Sequence, residues 1–576
     1  MSYRVEKDVP VPMRDGHTLS TDLWIPDTHP APTLLVRTPY GKDVPNLLAN
    51  SLNTQALLEA GYAVVFQDCR GTSRSGGAFT PLVNEPADGA DTVDWVSRQA
   101  WCDGTVGTFG ASYLGMTQWA TASQTPAALK AIAPTVTTTD YYTSPFYSDG
   151  GAFSLHLVMW WSTVVAFAGA PRSAAGVEAL TEIGGLLADL DIPLASMPVG
   201  DQPVLDRFAP WWPQLVAHPV RDEYWQALSV GDHPEKVETP ALHIGGWFDI
   251  CVSSTARSFT AMRKTAGSEE SRDGQRLIIG PWDHLSYTGV YHDRQFGLSA
   301  DVAAADLTGA HIAFFDRWLR GRTDALDGSA PVRIFVMGLD QWRDEQDWPL
   351  PGTRYVDYFL GGGGHANTAD GDGVLATGEP GADATDTFVY DPADPVPTLG
   401  GRLVMPSALN AVGPVDQRPV EARDDVLCFS TPVLEEPVEV TGHVSLELFV
   451  SSSAMDTDFT GKLVDVFPDG RAIYLTDGML RARYRNSLAR PEPLEPGAIH
   501  QVTLDLAVTS NVFLPGHRIR VEISSSNFPR YDRNTNTGGV IARESLDEAA
   551  VATNQVLHGR AYPSRLILPV IERGTS

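Results

Sequence analysis

Val106-Gly107-Thr108-Phe109-Gly110-Ala111-Ser112-Tyr113-Leu114-Gly115-Met116-Thr117-Gln118-Trp119-Ala120 is the stretch on which the fold turns. Val106 to Phe109 reads as the end of a short buried strand, and Met116 to Ala122 reads as a helix. Between them lies a turn of small residues with one serine at its tip. That is the setting of a nucleophile elbow, whose strained strand-to-helix turn exposes the serine hydroxyl and lines up backbone N–H groups at the helix N-terminus. The spacing is irregular. The usual G-x-S-x-G has glycine two residues after the serine, where this chain has Leu114, and Gly115 comes one place later. A glycine–serine turn is more often only a turn, so the rest of the chain decides.

Outward from this turn, apolar strands alternate with helices up to about residue 145. Thr33–Val36 and Ala63–Gln67 read as strands, the second following a helix near Gln55–Ala60, and Leu129–Ala133 reads as a third. The rhythm resumes at Ala241–Gly245 and Arg276–Gly280, and an amphipathic helix follows near Leu307–Leu319. Such βαβ alternation predicts a mostly parallel sheet with helices on both faces. Over roughly 146–240 strand signals vanish; Leu155, Val158, Met159 and Ser162 show helical spacing, and Ala174–Leu190 looks similar. This predicts a helical cap inserted into the α/β unit. Beyond about residue 350, Gly361–Gly364 opens a loop-rich stretch with short alternating strands such as Val444–Val450 and Arg518–Ser524, the texture of a jelly-roll β-sandwich. The expected organisation is an α/β core over 1–145 and 241–350, a helical cap over 146–240, and a sandwich over 351–576.

Composition narrows the partners. The 576 residues are 43% hydrophobic and 20% charged, ordinary for a soluble globular protein with several cores. Seventy-one acidic against 42 basic side chains give a net charge of −29, which argues against nucleic acid or anionic membrane as a partner. Met1 to Lys7 lacks the form of a signal peptide. The most apolar stretch, Phe153–Ala170, is interrupted by His156, Ser162 and Thr163 and reads as a buried or cap helix. Cys69, Cys102, Cys251 and Cys428 lie far apart without C-x-x-C spacing, indicating neither a zinc site nor a disulfide framework. A reduced, cytoplasmic protein needing no metal and no cofactor is expected.

A serine nucleophile needs a base, and the base needs an orienting carboxylate. In α/β-hydrolase order the acid and then the histidine follow the serine, each in a loop past a strand. Asp249 stands after Ala241–Gly245, in Gly245-Gly246-Trp247-Phe248-Asp249, and His284 after Arg276–Gly280, in Gly280-Pro281-Trp282-Asp283-His284. Ser112, Asp249 and His284 thus occur in the required order. Other candidates read differently: His243 inside a strand as a satisfied core residue, His156 as a cap residue that packs or lines the pocket, and Cys251 as a small buried side chain. Asp283 adjoins His284, but neighbours in a loop usually point apart, which makes it a poor orienter.

Gly-Ala-Ser-Tyr-Leu-Gly, Gly-Gly-Trp-Phe-Asp and Gly-Pro-Trp-Asp-His together resemble the three active-site signatures of the CocE/NonD family of serine hydrolases, which is related to the X-Pro dipeptidyl-peptidases. The resemblance extends over nearly the whole chain through Arg37-Thr38-Pro39-Tyr40, Gln67-Asp68-Cys69-Arg70-Gly71, Trp101-Cys102-Asp103-Gly104, Arg333 to Gly338, Pro515 to Arg518 and Ser526 to Arg530. It implies an α/β-hydrolase core with an inserted cap and a C-terminal sandwich. It implies that Ser112 attacks a carbonyl, that His284 takes its proton, and that Asp249 holds the imidazole tautomer. It also implies an oxyanion hole made by the Tyr40 hydroxyl and the Tyr113 backbone N–H, and it accounts for the late Gly115.

The cap is rich in aromatic residues, among them Phe153, Trp160 and Trp161; with Trp247 and Phe248 they are the candidates to line a pocket for a hydrophobic or aromatic acyl group. No acid follows Asp249 in Ile250-Cys251-Val252-Ser253 to hold a substrate ammonium, and Asp222-Glu223 reads as a helix start. The expected activity is hydrolysis of a small-molecule ester through an acyl-Ser112 intermediate. An amidase or acylase, or an acyltransferase, would use the same triad. A carbohydrate- or partner-binding protein with a vestigial hydrolase centre is the reading from another class. The sandwich either braces the core or forms the interface of a homo-oligomer.

Overall fold

The computed structural model describes residues 2–43, 52–172, 176–405 and 411–572. Its first sheet has ten strands: β1 (Tyr3–Pro12), β2 (Thr18–Pro26), β3 (Ala31–Thr38), β4 (Ala63–Asp68), β5 (Cys102–Ala111), β6 (Leu129–Thr135), β7 (Leu242–Gly246), β8 (Arg276–Gly280), β9 (Val332–Val336) and β10 (Gln341–Glu345). They lie in the order β1-β2-β4-β3-β5-β6-β7-β8-β9-β10. From β4 to β9 every neighbouring pair is parallel, while β1, β2 and β10 add antiparallel edges. All eight residues of β3 are buried, as a strand covered on both faces requires.

Helices Thr54–Glu59 and Leu307–Leu319 cover one face, packing Leu57, Leu58, Phe314 and Phe315 onto Leu34, Val64 and Ile244. Helices Glu85–Ser97, Tyr113–Ala122 and Val252–Thr265 cover the other, with Val93, Trp119 and Met262 against Leu35, Val65 and Ile132. Strands β3 to β9 therefore all end, at their C-terminal edge, in one row of loops, where open α/β sheets carry their sites.

Between β6 and β7 the described elements are helical, chiefly Leu155–Gly169, Gly176–Ala188, Pro203–Phe208, Trp212–Ala217 and Glu223–Leu228. The second of these lies inside the stretch expected at Ala174–Leu190, of which residues 174 and 175 fall outside the described ones. A separate apolar cluster holds the helices together and presses Trp161, Trp211 and Phe146 toward Tyr113.

The chain after β10 builds an eleven-stranded sheet, antiparallel except where Val374 meets Ser430. Its longest strand, Val438–Ser452, pairs with three others, His500–Phe513, Ala552–His558 and Arg565–Ile571, shifting register between His443 and Ser445. Strand Ala472–Arg481 comes back against His500–Phe513 so closely that a Cβ on Gly478 would lie 1.8 Å from the Asp505 carbonyl oxygen. The unit is joined to the first sheet by backbone bonds from Met337 N–H to Ser510 O and from Val512 N–H to Met337 O. No helix among the described residues is long and apolar enough to cross a membrane.

The close approach at Gly478 leaves no room for a methyl group. Gly478→Ala is expected to destabilise the protein by about 2 kcal/mol or more, as overpacking against backbone does, read as a lowered midpoint in thermal or urea unfolding.

Candidate active site

Ser112 follows β5 directly, and its amide donates to Thr135 O at 2.9 Å on the neighbouring strand. The turn then reverses so sharply that Ser112 sits at φ 60°, ψ −125°, a region that costs a non-glycine residue about 1–3 kcal/mol. Gly110, at φ +132°, has Leu114 Cβ only 2.7 Å from where its own Cβ would be. The side chain of Leu114 therefore fills the space left by Gly110. The other tight contact falls one residue later, where a Cβ on Gly115 would come 2.6 Å from Thr137. Thr137 in turn donates its hydroxyl to Ser112 O at 2.8 Å. That is the physical reason for leucine two places and glycine three places after the serine.

His284, past β8, reaches Ser112 Oγ with Nε2 at 2.9 Å and Asp249 Oδ1 with Nδ1 at 2.6 Å. A carboxylate can only accept, so Nδ1 carries the proton and Nε2 offers its lone pair to the serine hydroxyl. Asp249, past β7, is fully buried, and its second oxygen accepts the Cys251 amide at 3.1 Å. Cys251 offers its sulfur within 4.8 Å of the Asp249 and His284 ligand atoms. Burial beside Asp249 pushes the Cys251 thiol well up, and both ring nitrogens of His284 are already engaged, one by Ser112 and one by Asp249.

Tyr40 stands in the loop past β3. Its hydroxyl accepts the Trp161 indole N–H at 3.1 Å and lies within hydrogen-bonding reach of Ser112, and burial holds its phenol well above the usual tyrosine range. With one lone pair engaged and the proton firmly retained, it is a donor. Tyr113 is the first residue of the helix Tyr113–Ala122, so its amide has no acceptor within the helix. A carbonyl carbon placed against Ser112 Oγ would carry its oxygen toward both.

Beneath the turn lies a buried charge network that sequence reasoning did not pick out. The Tyr113 hydroxyl donates to Glu85 Oε1 at 3.0 Å and accepts from Leu82 N–H at 2.9 Å. Glu85 Oε2 is bound by Arg37 at 2.6 Å, and Arg70 binds Asp88 at 2.5 Å, all four side chains being largely or wholly buried. Arg37 and Arg70 belong to the quoted Arg-Thr-Pro-Tyr and Asp-Cys-Arg-Gly stretches; their acidic partners carried no motif, and only pairing an arginine in a buried strand and another two residues past one with nearby acids could have found them.

The aromatic candidates divide. Trp161 reaches the site through Tyr40 and stacks on Tyr113 at 6.0 Å. Trp160, next in the same helix, is half-buried and turned about 100° away. Phe153 packs on Tyr147 and Trp212, and its amide donates to Asp532. Trp247 and Phe248 do not line the pocket: both have no exposed surface. The Trp247 indole donates to Phe335 O at 2.7 Å, and Phe248 packs among Tyr291, Phe296 and Tyr474. The turn between β7 and Asp249 points them down into the core, so adjacency to the acid misleads there. His243 is a core residue bonded to Gln275 at 2.7 Å. Asp283 accepts the Leu285 and Ser286 amides, bracing the loop that carries His284.

A parallel α/β sheet with serine, histidine and aspartate joined in one hydrogen-bonded chain defines a serine hydrolase. Residues 15–286 match the model of the X-Pro dipeptidyl-peptidase (S15) family, and residues 324–567 match that of the X-Pro dipeptidyl-peptidase C-terminal non-catalytic domain. The chain is 50% identical over 582 residues to the cocaine esterase of Rhodococcus sp. (strain MB1 Bresler), covering 99% of both chains. Among solved structures, it is 25% identical to an aminopeptidase from a marine sediment Thaumarchaeota archaeon, with a TM-score of 0.82 over 99% of this chain and 97% of that one. An α-amino acid ester hydrolase is likewise 25% identical, with a TM-score of 0.80 over 99% and 96%. The chain belongs to the CocE/NonD family, and it is a serine ester hydrolase.

Neutralising the buried acid under the elbow tests the network. Glu85→Gln leaves Arg37 without its closest counter-charge and is expected to cost about 3 kcal/mol of stability, measured by denaturant unfolding.

Proposed function

We propose that the protein hydrolyses small esters with a hydrophobic or aromatic acyl group through an acyl-Ser112 intermediate. The observation that carries this reading is the continuous chain from Ser112 Oγ through His284 to Asp249, with Tyr40 beside it. Ser112 Oγ attacks the carbonyl carbon while its proton passes to His284 Nε2, and Asp249 stabilises the imidazolium. The carbonyl oxygen, now an oxyanion, receives hydrogen bonds from the Tyr40 hydroxyl and the Tyr113 N–H. Collapse expels the alcohol, which takes the proton from His284. Water then attacks the acyl-enzyme, giving its proton to His284, and collapse expels Ser112 Oγ, which takes that proton back from His284 as the acid leaves.

Ester rather than free-amine peptide chemistry is favoured by the carboxylates near the cap, which are engaged elsewhere. Asp222 caps its own helix by accepting the Tyr224 amide and also bonds His218 at 2.6 Å. Asp149 is paired with Arg257 at 2.7 Å. Neither is left to hold an ammonium. The cap aromatics around Trp161 and Phe146 support an apolar acyl group. We read the C-terminal sheet as a jelly roll bracing the other units and the four free, buried cysteines as those of a cytoplasmic protein. The charge of −29 favours a small-molecule partner over nucleic acid or membrane.

Matched p-nitrophenyl esters and p-nitroanilides are the assay. Ser112→Ala is expected to lower kcat by about 10⁴-fold or more with the fold intact by circular dichroism; retained turnover would sink the reading. Tyr40→Phe, which loses only the phenolic donor, is expected to lower kcat by about 10²–10³-fold with little change in KM.

A further inference from the structure

A cavity lies where the cap, the α/β core and the C-terminal unit meet, with about 40 Å³ of space for water-sized groups. Two of its lining residues are close neighbours of the site along the chain. Ile250, next to Asp249, lines it, and the Ile250 carbonyl accepts the hydroxyl of Ser144, another lining residue, at 3.3 Å. Leu157 lines it from the cap helix, one turn before Trp161, whose indole holds Tyr40.

What sets this cavity apart is its unspent polar groups. Among the described residues, three of the lining residues each carry a buried side-chain atom with no hydrogen-bond partner: Arg402 Nε, His156 Nδ1 and Ser253 Oγ. Their residues are 6%, 5% and 6% exposed. Such orphans are costly, more so if charged, and a fold keeps them where something else completes them. Ser253 lies in the first turn of the 14-residue helix Val252–Thr265, whose N-terminal end favours negative charge. The other charges facing the space are already matched. Asp149 is bound by Arg257 at 2.7 Å, and Arg530 is bound to Asp477, which also accepts from Arg402 Nη2. Burial lowers His156 to a pKa of about 4, so at neutral pH it adds a neutral imidazole and not a second cation.

We propose that this cavity is a substrate subsite for a carboxylate, held by Arg402 Nε–H, the Ser253 hydroxyl and the helix end, so that the preferred ester carries an acid group remote from the scissile bond. A carboxylate has only three heavy atoms, a size that suits so small a space. Its oxygens accept from Arg402 and Ser253. With a net charge of −29 the protein offers no long-range attraction to an anion, so the preference resides in local contacts and shows in KM.

The inference rests on the ester-hydrolase reading, and the test separates the two. Mono(4-nitrophenyl) glutarate is compared with 4-nitrophenyl methyl glutarate, placing the charge in the acyl half. The butyrate ester of 4-hydroxybenzoate is compared with that of its methyl ester, placing it in the alcohol half. One free acid of the two pairs is expected to exceed its capped partner in kcat/KM by about tenfold or more, the size of one charge-assisted hydrogen bond. Ser253→Ala and Arg402→Lys, the latter keeping the charge near Asp477 but losing Nε–H, are expected to erase that preference while cleavage of the capped esters persists. Equal cleavage of acid and capped ester in both pairs overturns the subsite and leaves the esterase reading standing. A preference that survives in both variants overturns it as well. Cleavage of none of the four esters overturns both.

Discussion

Everything at the catalytic edge hangs on one backbone reversal, the φ 60° turn at Ser112. A strained residue persists only where its surroundings over-determine it, and here they do. The amide is pinned to β6, the carbonyl is pinned by Thr137, and the two glycines flanking the turn allow contacts that no larger residue could make. The reversal frees the serine hydroxyl from the strand and starts a helix with an unpaired amide in the same step. Nucleophile and oxyanion donor therefore have a single structural origin.

The layers below and above that turn act on the same two tyrosines. From below, Glu85 holds the Tyr113 ring and is itself held by Arg37. From above, Trp161 holds Tyr40. A buried ion pair is weak evidence for stability, since desolvation offsets most of its attraction, but it fixes geometry, and geometry is what an oxyanion hole needs. The third layer, the C-terminal unit, supplies Arg402 and Arg530 to the neighbouring cavity, and backbone bonds at Met337 fasten it to the core.

Much of this was legible in the residues alone, for a physical reason. Strands β3, β5, β7 and β8 are apolar runs, and Tyr40, Ser112, Asp249 and His284 each lie within four residues of a strand end. In a parallel sheet those ends fall in one row, so order along the chain maps onto neighbourhood in space. Side-chain direction was not legible. Trp247 and Phe248 stand beside Asp249 in sequence, yet the turn points them into the core, where a strand register and two aromatic clusters decide their place. The bond between Trp161 and Tyr40 spans 121 positions, and that between Glu85 and Tyr113 spans 28. Such pairings depend on how cap and core dock, which no local pattern encodes. The helix from Leu307 to Leu319, whose amphipathic pattern is local, fell where the pattern put it.

The indole of Trp161 sits on the inserted helices, and the phenol it steadies sits on the sheet. A cap fastened in this way is a working part of the electrophile's binding site, and its docking is linked to the polarity of the pocket. With the cap seated, one lone pair of the Tyr40 oxygen is occupied by the Trp161 indole and the phenolic proton remains to be donated. Cap and sheet thus share one binding element, so that any change in how the cap docks is also a change in the oxyanion hole.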